Sequence, residues 1–260
     1  MKIAMMQPAF LPWQGFFELM DKSDIFILLD DFQFSVQSYH QRNRLFVNKE
    51  QIGWYTVPVQ KTVSFGGKIS DAIINNRIPW QIKMWKRIRQ NYSKAPFFQE
   101  MAPAIEGWLL NPNEYLSDLN IAFINLVCTT LKIDTEIRLS SQFPTKAHRS
   151  DKVLELLRWE KASQYLCAKG AFEYMKEDAV FPVDDVEILF QDHIPKKYSQ
   201  IGSPNDFIPF LSVLDALLNV GPGKTLEAIR NGTEKWLSWE ELVFSQKKNS
   251  LMYSQDTGEI

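Results

Sequence analysis

Lys2-Ile3-Ala4-Met5-Met6-Gln7-Pro8-Ala9-Phe10-Leu11-Pro12-Trp13-Gln14-Gly15-Phe16-Phe17, followed by Ile25-Phe26-Ile27-Leu28-Leu29-Asp30-Asp31, decides the fold. Lys2–Met6 is an apolar run of strand length. Pro8 and Pro12 stop regular structure after it. Gln14–Met20 reads as a helix with Phe16, Phe17, Leu19 and Met20 on its apolar side. Ile25–Leu29 is a second apolar strand, and it ends on two carboxylates. This is a βαβ unit with polar groups at the carboxyl ends of both strands, the edge where open α/β sheets place their ligands.

Working outward, Phe32, Phe34 and Val36 alternate with polar residues. Arg44–Asn48 and Gly53–Val59 read as the strands of a hairpin joined by a polar turn. Thr62–Lys68, with Gly66-Gly67, reads as a loop, and Ile69–Ile74 as a short strand. Trp80–Tyr92 has helical spacing, with Ile82, Trp85, Ile88 and Tyr92 in one stripe. Helices are also expected at Met101–Leu110 and from Asn113 or Glu114 to Leu131, making a helical insertion at about 80–132.

The α/β pattern then resumes. Strands are expected at Glu136–Ser140, Gln164–Cys167 and Val186–Phe190. Helices are expected at Arg149–Trp159, with Ser150 or Asp151 as N-cap, at Ala171–Lys176 and at Asp206–Asn219. Gly221-Pro222-Gly223 stops the last of these, and one more helix is expected over Gly223–Asn231. The expectation is a single α/β domain over residues 1–260, with a Rossmann-like, mostly parallel sheet flanked by helices, a β-hairpin and the helical insertion.

Composition sets limits. The chain has 260 residues, 45% hydrophobic and 23% charged, with a net charge of −2. That length is ample for a substantial core, and the balance excludes a disordered chain and a generically basic nucleic-acid binder. No apolar run approaches the ~20 residues of a membrane helix. Cys128 and Cys167 sit in separate apolar segments without CxxC or Cys/His spacing. They read as small buried hydrophobes in a reducing cytoplasm, not as metal ligands.

Four clusters can carry chemistry. Gln7, Pro8, Trp13 and Gly15 form the first loop; Gly15 allows either a ligand or a packed neighbour to come close. Asp30 and Asp31, with Gln33 beyond them, can act as a base or fix an ammonium, or simply cap a turn. His40, Arg42, Asn43 and Arg44, joined by Lys61, combine a group that titrates near neutral pH with guanidiniums suited to phosphate. Lys169 and Tyr174 follow a later strand, and Asp192-His193 another. No G-x-S-x-G elbow accompanies them.

In chain order these segments resemble the WbqC-like family. The resemblance rests on Met1–Pro8, Pro12–Phe17, Asp30–Phe34, Arg42–Arg44, Ala95–Phe98, Tyr198–Gln200 and Leu211–Gly221. It runs from Met1 to about Gly221 and leaves the C-terminal tail outside. It implies a role in bacterial surface polysaccharide (O-antigen) synthesis, with glycyl transfer to a nucleotide-linked sugar as the suggested reaction. On that reading Asp30, Asp31 or His40 is the base. Arg42, Arg44 and Lys61 hold a diphosphate, and the amides near Gly15 supply oxyanion or phosphate contacts. The substrate is a small molecule, and the nucleic acid that fits is an aminoacyl-tRNA donor. No cofactor is named. A second resemblance is to nucleotidylyltransferases with an HxGH loop, over which Trp13-Gln14-Gly15-Phe16 would lie. Both histidines are then aromatics, so a degenerate, non-catalytic nucleotide or sugar-nucleotide binder is the alternative.

Overall fold

The computed structural model describes residues 1–60, 66–203 and 205–255, with side chains described through residue 247. Strand β1 (Lys2–Met6) leads through a Pro-rich loop into helix α1 (Gln14–Asp21) and strand β2 (Ile25–Leu28). The hairpin follows as β3 (Arg42–Asn48) and β4 (Gln51–Thr56). Helices α2 (Trp80–Tyr92), α3 (Phe98–Leu110) and α4 (Leu116–Leu131) come next. The chain then alternates β5 (Glu136–Leu139), α5 (Arg149–Trp159), β6 (Gln164–Ala168), α6 (Phe172–Asp178) and β7 (Glu187–Gln191). It closes with α7 (Val213–Arg230), β8 (Leu237–Ser238) and α8 (Trp239–Gln255).

The main sheet has six strands in the order β5-β2-β1-β6-β7-β8. The first five are parallel, with Ile3 opposite Ile25 and Tyr165, and Ile25 opposite Glu136. Only β8 is antiparallel. The chain therefore builds outward from β1 to β5, then returns across β1 to build β6 and β7 on its other side. Both sheet faces are covered, and the strands show it in their alternation. Ala4, Phe26, Leu28 and Leu166 enter one core with α1, α4 and α7. Ile3, Met5, Ile25 and Ile27 enter another with α5, α6 and α8. Parallel strands buried on both faces read as near-continuous apolar runs, which is why β1 and β2 were legible.

Three of the four expected stripe residues of α2 are buried. Trp80, Met84, Trp85, Ile88 and Tyr92 are buried, whereas Ile82 is 53% exposed. The Ile69–Ile74 segment forms a short 3₁₀ turn and two isolated bridges instead of a strand. The expected loop Thr62–Lys68 lies largely outside the described residues. Residues 206–212 are not helical. Helix α7 begins later, where the Ser212 hydroxyl accepts the Leu214 N–H at 3.2 Å. It bends at Gly221, whose φ of 77° precedes Pro222, so the two expected helices join across a kink. Helix α5 is preceded by His148, and the Ser150 N–H is taken by Asp178 at 3.3 Å.

Asp215 ties the late segment to the rest. Its buried carboxylate accepts Tyr92 Oη at 2.7 Å, Tyr198 Oη at 2.8 Å and Gln200 Nε2 at 2.9 Å. Burial raises its pKa in spite of those donors, all of them neutral. The Tyr198–Gln200 and Leu211–Gly221 motifs thus meet in a structural knot.

Candidate functional site

The change of direction between β1 and β6 is a topological switch point, where open α/β sheets leave a crevice beyond the strand ends. A cavity of about 500 Å³ lies there, walled by Met6 and Gln7 after β1, Leu29 and Phe32 after β2, and Ala168 and Gly170 after β6. Tyr39, His40 and Tyr174 complete it. Two further chambers adjoin this central one. A cationic chamber of about 460 Å³ shares Gln7, Phe32 and Arg149 with it, and adds Asp31, Gln33, Lys68, His148 and Lys152. An aromatic chamber of about 300 Å³ shares Met6, Ala9 and Tyr39, and adds Trp13, Phe16, Arg44 and Phe210.

The first loop is held by side chains from distant segments. Asn43 Nδ2 donates to the carbonyls of Leu11 at 2.8 Å and Phe10 at 3.3 Å, and its Oδ1 accepts the Arg44 N–H at 2.8 Å. Asn120 Nδ2, from α4, donates to the carbonyls of Pro8 at 3.0 Å and His40 at 2.8 Å. These bonds satisfy a buried, irregular backbone that has no ladder of its own. Leu11 adopts a φ of 47° within it.

His40 is 6% exposed. Its Nδ1 accepts the Ser35 N–H at 3.3 Å, which leaves Nε2 as the donor to Gln7 Oε1 at 2.8 Å. Burial lowers its pKa to about 4, so the imidazole is neutral near pH 7. The Gln7 amide oxygen is thereby occupied, and its NH₂ group is the donor left where the central and cationic chambers meet.

Asp30 and Asp31 part company. Asp30 accepts Ser140 Oγ at 3.1 Å, the Ser141 N–H at 2.9 Å and Ser141 Oγ at 2.6 Å, so both of its oxygens are engaged at the turn after β5. Asp31 faces the cationic chamber and pairs with Lys152. Burial raises its pKa, but the hydrogen bonds from Lys152 and Ser140 outweigh this and hold it below the usual range. Lys68 adds a further favourable charge nearby. Arg149, on the same wall, also reaches Asp178 at 2.9 Å.

The other expected site residues are distributed. Gln33 lines the cationic chamber and Tyr174 the central one. Arg44 lines the aromatic chamber, whereas Arg42 lies outside all three and stacks on Trp54 at 4.2 Å. Pro8 is buried. Lys169 pairs with Asp192 at 2.8 Å on the surface. Lys61 lies outside the described residues. Gly15 is buried beneath Trp13: a Cβ there would stand 2.4 Å from the indole carbons, so the glycine makes room for the tryptophan. Lys68, Arg149, Lys152, Tyr39 and Phe210 were not anticipated. The one hint was the Arg149-Ser150-Asp151-Lys152 start of a helix following a strand. Among the described residues no group of three or more His, Cys, Asp or Glu side chains is arranged to hold a metal ion. No described helix is long and apolar enough to cross a membrane.

Strand order, parallel register and a crevice at the switch point define a Rossmann-like α/β protein. A profile of the WbqC-like protein family matches residues 7–227. The chain belongs to that family. It is 30% identical over 222 residues to the uncharacterized protein Rv1507c of Mycobacterium tuberculosis, covering 85% of this chain and 94% of that one. No solved structure matches.

Proposed function

We propose that the chain is a cytoplasmic transferase that binds a nucleotide-linked sugar in the switch-point crevice and places an acyl group, such as glycyl, on the sugar during bacterial surface polysaccharide synthesis. One observation carries the binding part. Lys68, Arg149 and Lys152 line one chamber with Asp31 as its lining carboxylate. Asp178 pairs with Arg149, and the three cations still outnumber the two carboxylates. That chamber shares Gln7, Phe32 and Arg149 with the ligand-sized central cavity. A diphosphate matches such an excess of cations. The acyl-transfer part rests on the family resemblance and on the donors beside the chamber. In the reaction the sugar's amino or hydroxyl group attacks the acyl carbon of an activated ester, an aminoacyl-tRNA being one such donor. A C–N or C–O bond forms, the ester C–O bond breaks, and the acceptor's proton leaves with the departing oxygen. The Gln7 and Gln33 amides are placed to donate to the developing oxyanion, and Asp31 to orient the acceptor.

A second reading, a binder without turnover, is favoured by a specific observation: Asp30 is engaged, Asp31 is ion-paired, and both His40 nitrogens are occupied. Mass spectrometry of nucleotide-linked amino sugars incubated with the protein and glycyl donors separates the two. A glycylated product that disappears in Asp31→Ala supports transfer. Ligand-induced thermal stabilisation with no product in any donor combination supports binding alone. No stabilisation by any nucleotide-linked sugar defeats both.

A further inference from the structure

The aromatic chamber is built around a tryptophan held rigidly from beneath. The Trp13 indole lies over Gly15 and meets the His193 ring edge-on, with centroids 5.0 Å apart at 82°. The His193 side chain is fully buried, and its Nδ1 contacts Glu18 Oε2 at 2.8 Å. Behind it, Gly232 leaves no space, since a Cβ there would come within 1.9 Å of the imidazole. Glu18 is fixed in turn by Gln191 Nε2 at 2.6 Å and the Thr233 N–H at 2.9 Å. A tryptophan stacked on so many fixed groups is pre-organised, which lowers the ordering cost of binding on its open face.

The opposite wall is Phe210, 5.5 Å from Trp13 between centroids and tilted by 51°, so the two rings are not stacked on each other. Phe210 holds a φ of 60°, a left-handed conformation that a bulky residue adopts at a cost. Its carbonyl accepts Arg44 Nη2 at 3.4 Å. Arg44 lines the chamber and is half-buried, so its guanidinium keeps an edge on the chamber side. The chamber thus offers aromatic faces and the edge of a guanidinium. Asn43 on its wall has its amide fully engaged, and Tyr39 adds one hydroxyl. A sugar would bring more hydroxyls than these few groups can pair. A flat ring with an acceptor on its edge fits both the faces and the donor.

We infer that the aromatic chamber is the nucleobase subsite of the crevice, with one of the two tilted rings, Phe210 or Trp13, stacking on the base and the other meeting its edge, and the Arg44 guanidinium as the donor to the ring edge. The inference rests on the reading of the crevice as a nucleotide-linked sugar site. It adds which end takes the base: the aromatic chamber borders the central cavity at Met6, Ala9 and Tyr39, and the cationic chamber borders it at Gln7, Phe32 and Arg149, which sets the order base, ribose, diphosphate. Glu18 and His193 act as positioning residues for the Trp13 ring.

Calorimetric titrations of the full chain with inorganic pyrophosphate, free nucleosides and nucleoside diphosphates test this. A nucleoside diphosphate is expected to bind roughly 5- to 150-fold more tightly than pyrophosphate, the range of one base–aromatic stack. Phe210→Ala and Trp13→Leu should remove that advantage and leave pyrophosphate binding unchanged. Phe210 is 44% exposed, so its variant tests the idea even if Trp13→Leu fails to fold. If pyrophosphate binds but the base adds nothing, or if the Phe210 variant binds nucleosides as the parent does, the subsite is overturned and the diphosphate reading stands. If nucleosides bind in a Phe210-dependent way and pyrophosphate does not, the subsite stands and the diphosphate reading falls. Binding of none of the three overturns both.

Discussion

Two carboxylate clusters flank the crevice, and they solve the same problem differently. Asp30 and Asp31 are adjacent in sequence and serve two masters: one is enclosed by the Ser140-Ser141 turn, the other faces the cationic chamber with Lys152. Glu18 is fully buried beneath the aromatic chamber. It gathers His193, Gln191 and Thr233 from the far end of the chain. Burial alone would raise the Glu18 pKa, but hydrogen bonds from His193 and Thr233 outweigh it and the net shift is downward. A carboxylate on the wall keeps its charge with one ammonium and one hydroxyl donating to it and a second ammonium nearby. A carboxylate in the core keeps its charge only when several donors converge on it.

The sharpest way to break this comparison is to remove the core carboxylate. Glu18→Ala leaves His193, Gln191 and Thr233 without their shared acceptor, and should cost ~1–3 kcal/mol of stability for each buried donor left unsatisfied. The urea midpoint measures it. A Glu18→Leu/His193→Leu double variant should recover much of the loss, because no unpaired polar partner of that pair is left behind. A Glu18→Ala midpoint equal to the parent's would show that the cluster bears no structural load.

This contrast also explains what was legible in sequence. Strands β1 and β2 declared themselves as apolar runs, and Asp30-Asp31 as a pair, because both signals are local. The Trp80–Tyr92 helix was read to the residue, and Trp85, Ile88 and Tyr92 of its expected stripe are buried, but Ile82 is not. Its buried face is set by α3 and the hairpin, which periodicity does not see. Glu18 and His193 are separated by 175 positions, so neither looked like the partner of the other. Phe210 and Lys68 reach the crevice from irregular segments that have no period at all. Gly15 was noticed for the right reason, a close approach. The approaching group proved to be Trp13, two residues away.

His40 gives the next effect. Its pKa is about 4 in the folded chain against an ordinary 6.5. Between those values the unfolded chain takes up a proton that the folded chain refuses, so stability must fall as pH drops from about 6.5 to about 4. It is flat with respect to this residue above and below that window. The expected loss is about 3 kcal/mol. His40→Gln should flatten the profile of urea midpoint against pH in this window. Glu18 and Asp31, whose pKa values are depressed, should leave their own losses in place at lower pH. An unchanged slope in the variant would mean that His40 titrates freely in the folded state.

The smallest effect separates the two neighbouring aspartates. Asp30→Asn can keep its oxygen on Ser140 Oγ and the Ser141 N–H, which puts its NH₂ group where the carboxylate accepted the Ser141 hydroxyl. A cost of ~1–2 kcal/mol follows, typical of one poorly satisfied buried polar group. Pyrophosphate affinity should stay at the parent value, since Asp30 makes its bonds away from the chamber. Asp31→Asn should do the reverse. It releases Lys152 from its counter-ion, so the chamber gains net positive charge and pyrophosphate should bind several-fold more tightly at low salt, with the gain shrinking as salt rises. The pair therefore predicts a crossed result from two changes one residue apart. Stability should respond mainly at Asp30 and anion affinity at Asp31. If both variants shifted affinity equally, the division between the enclosed and the chamber-facing carboxylate would collapse, and with it the placement of the diphosphate beside Lys68, Arg149 and Lys152.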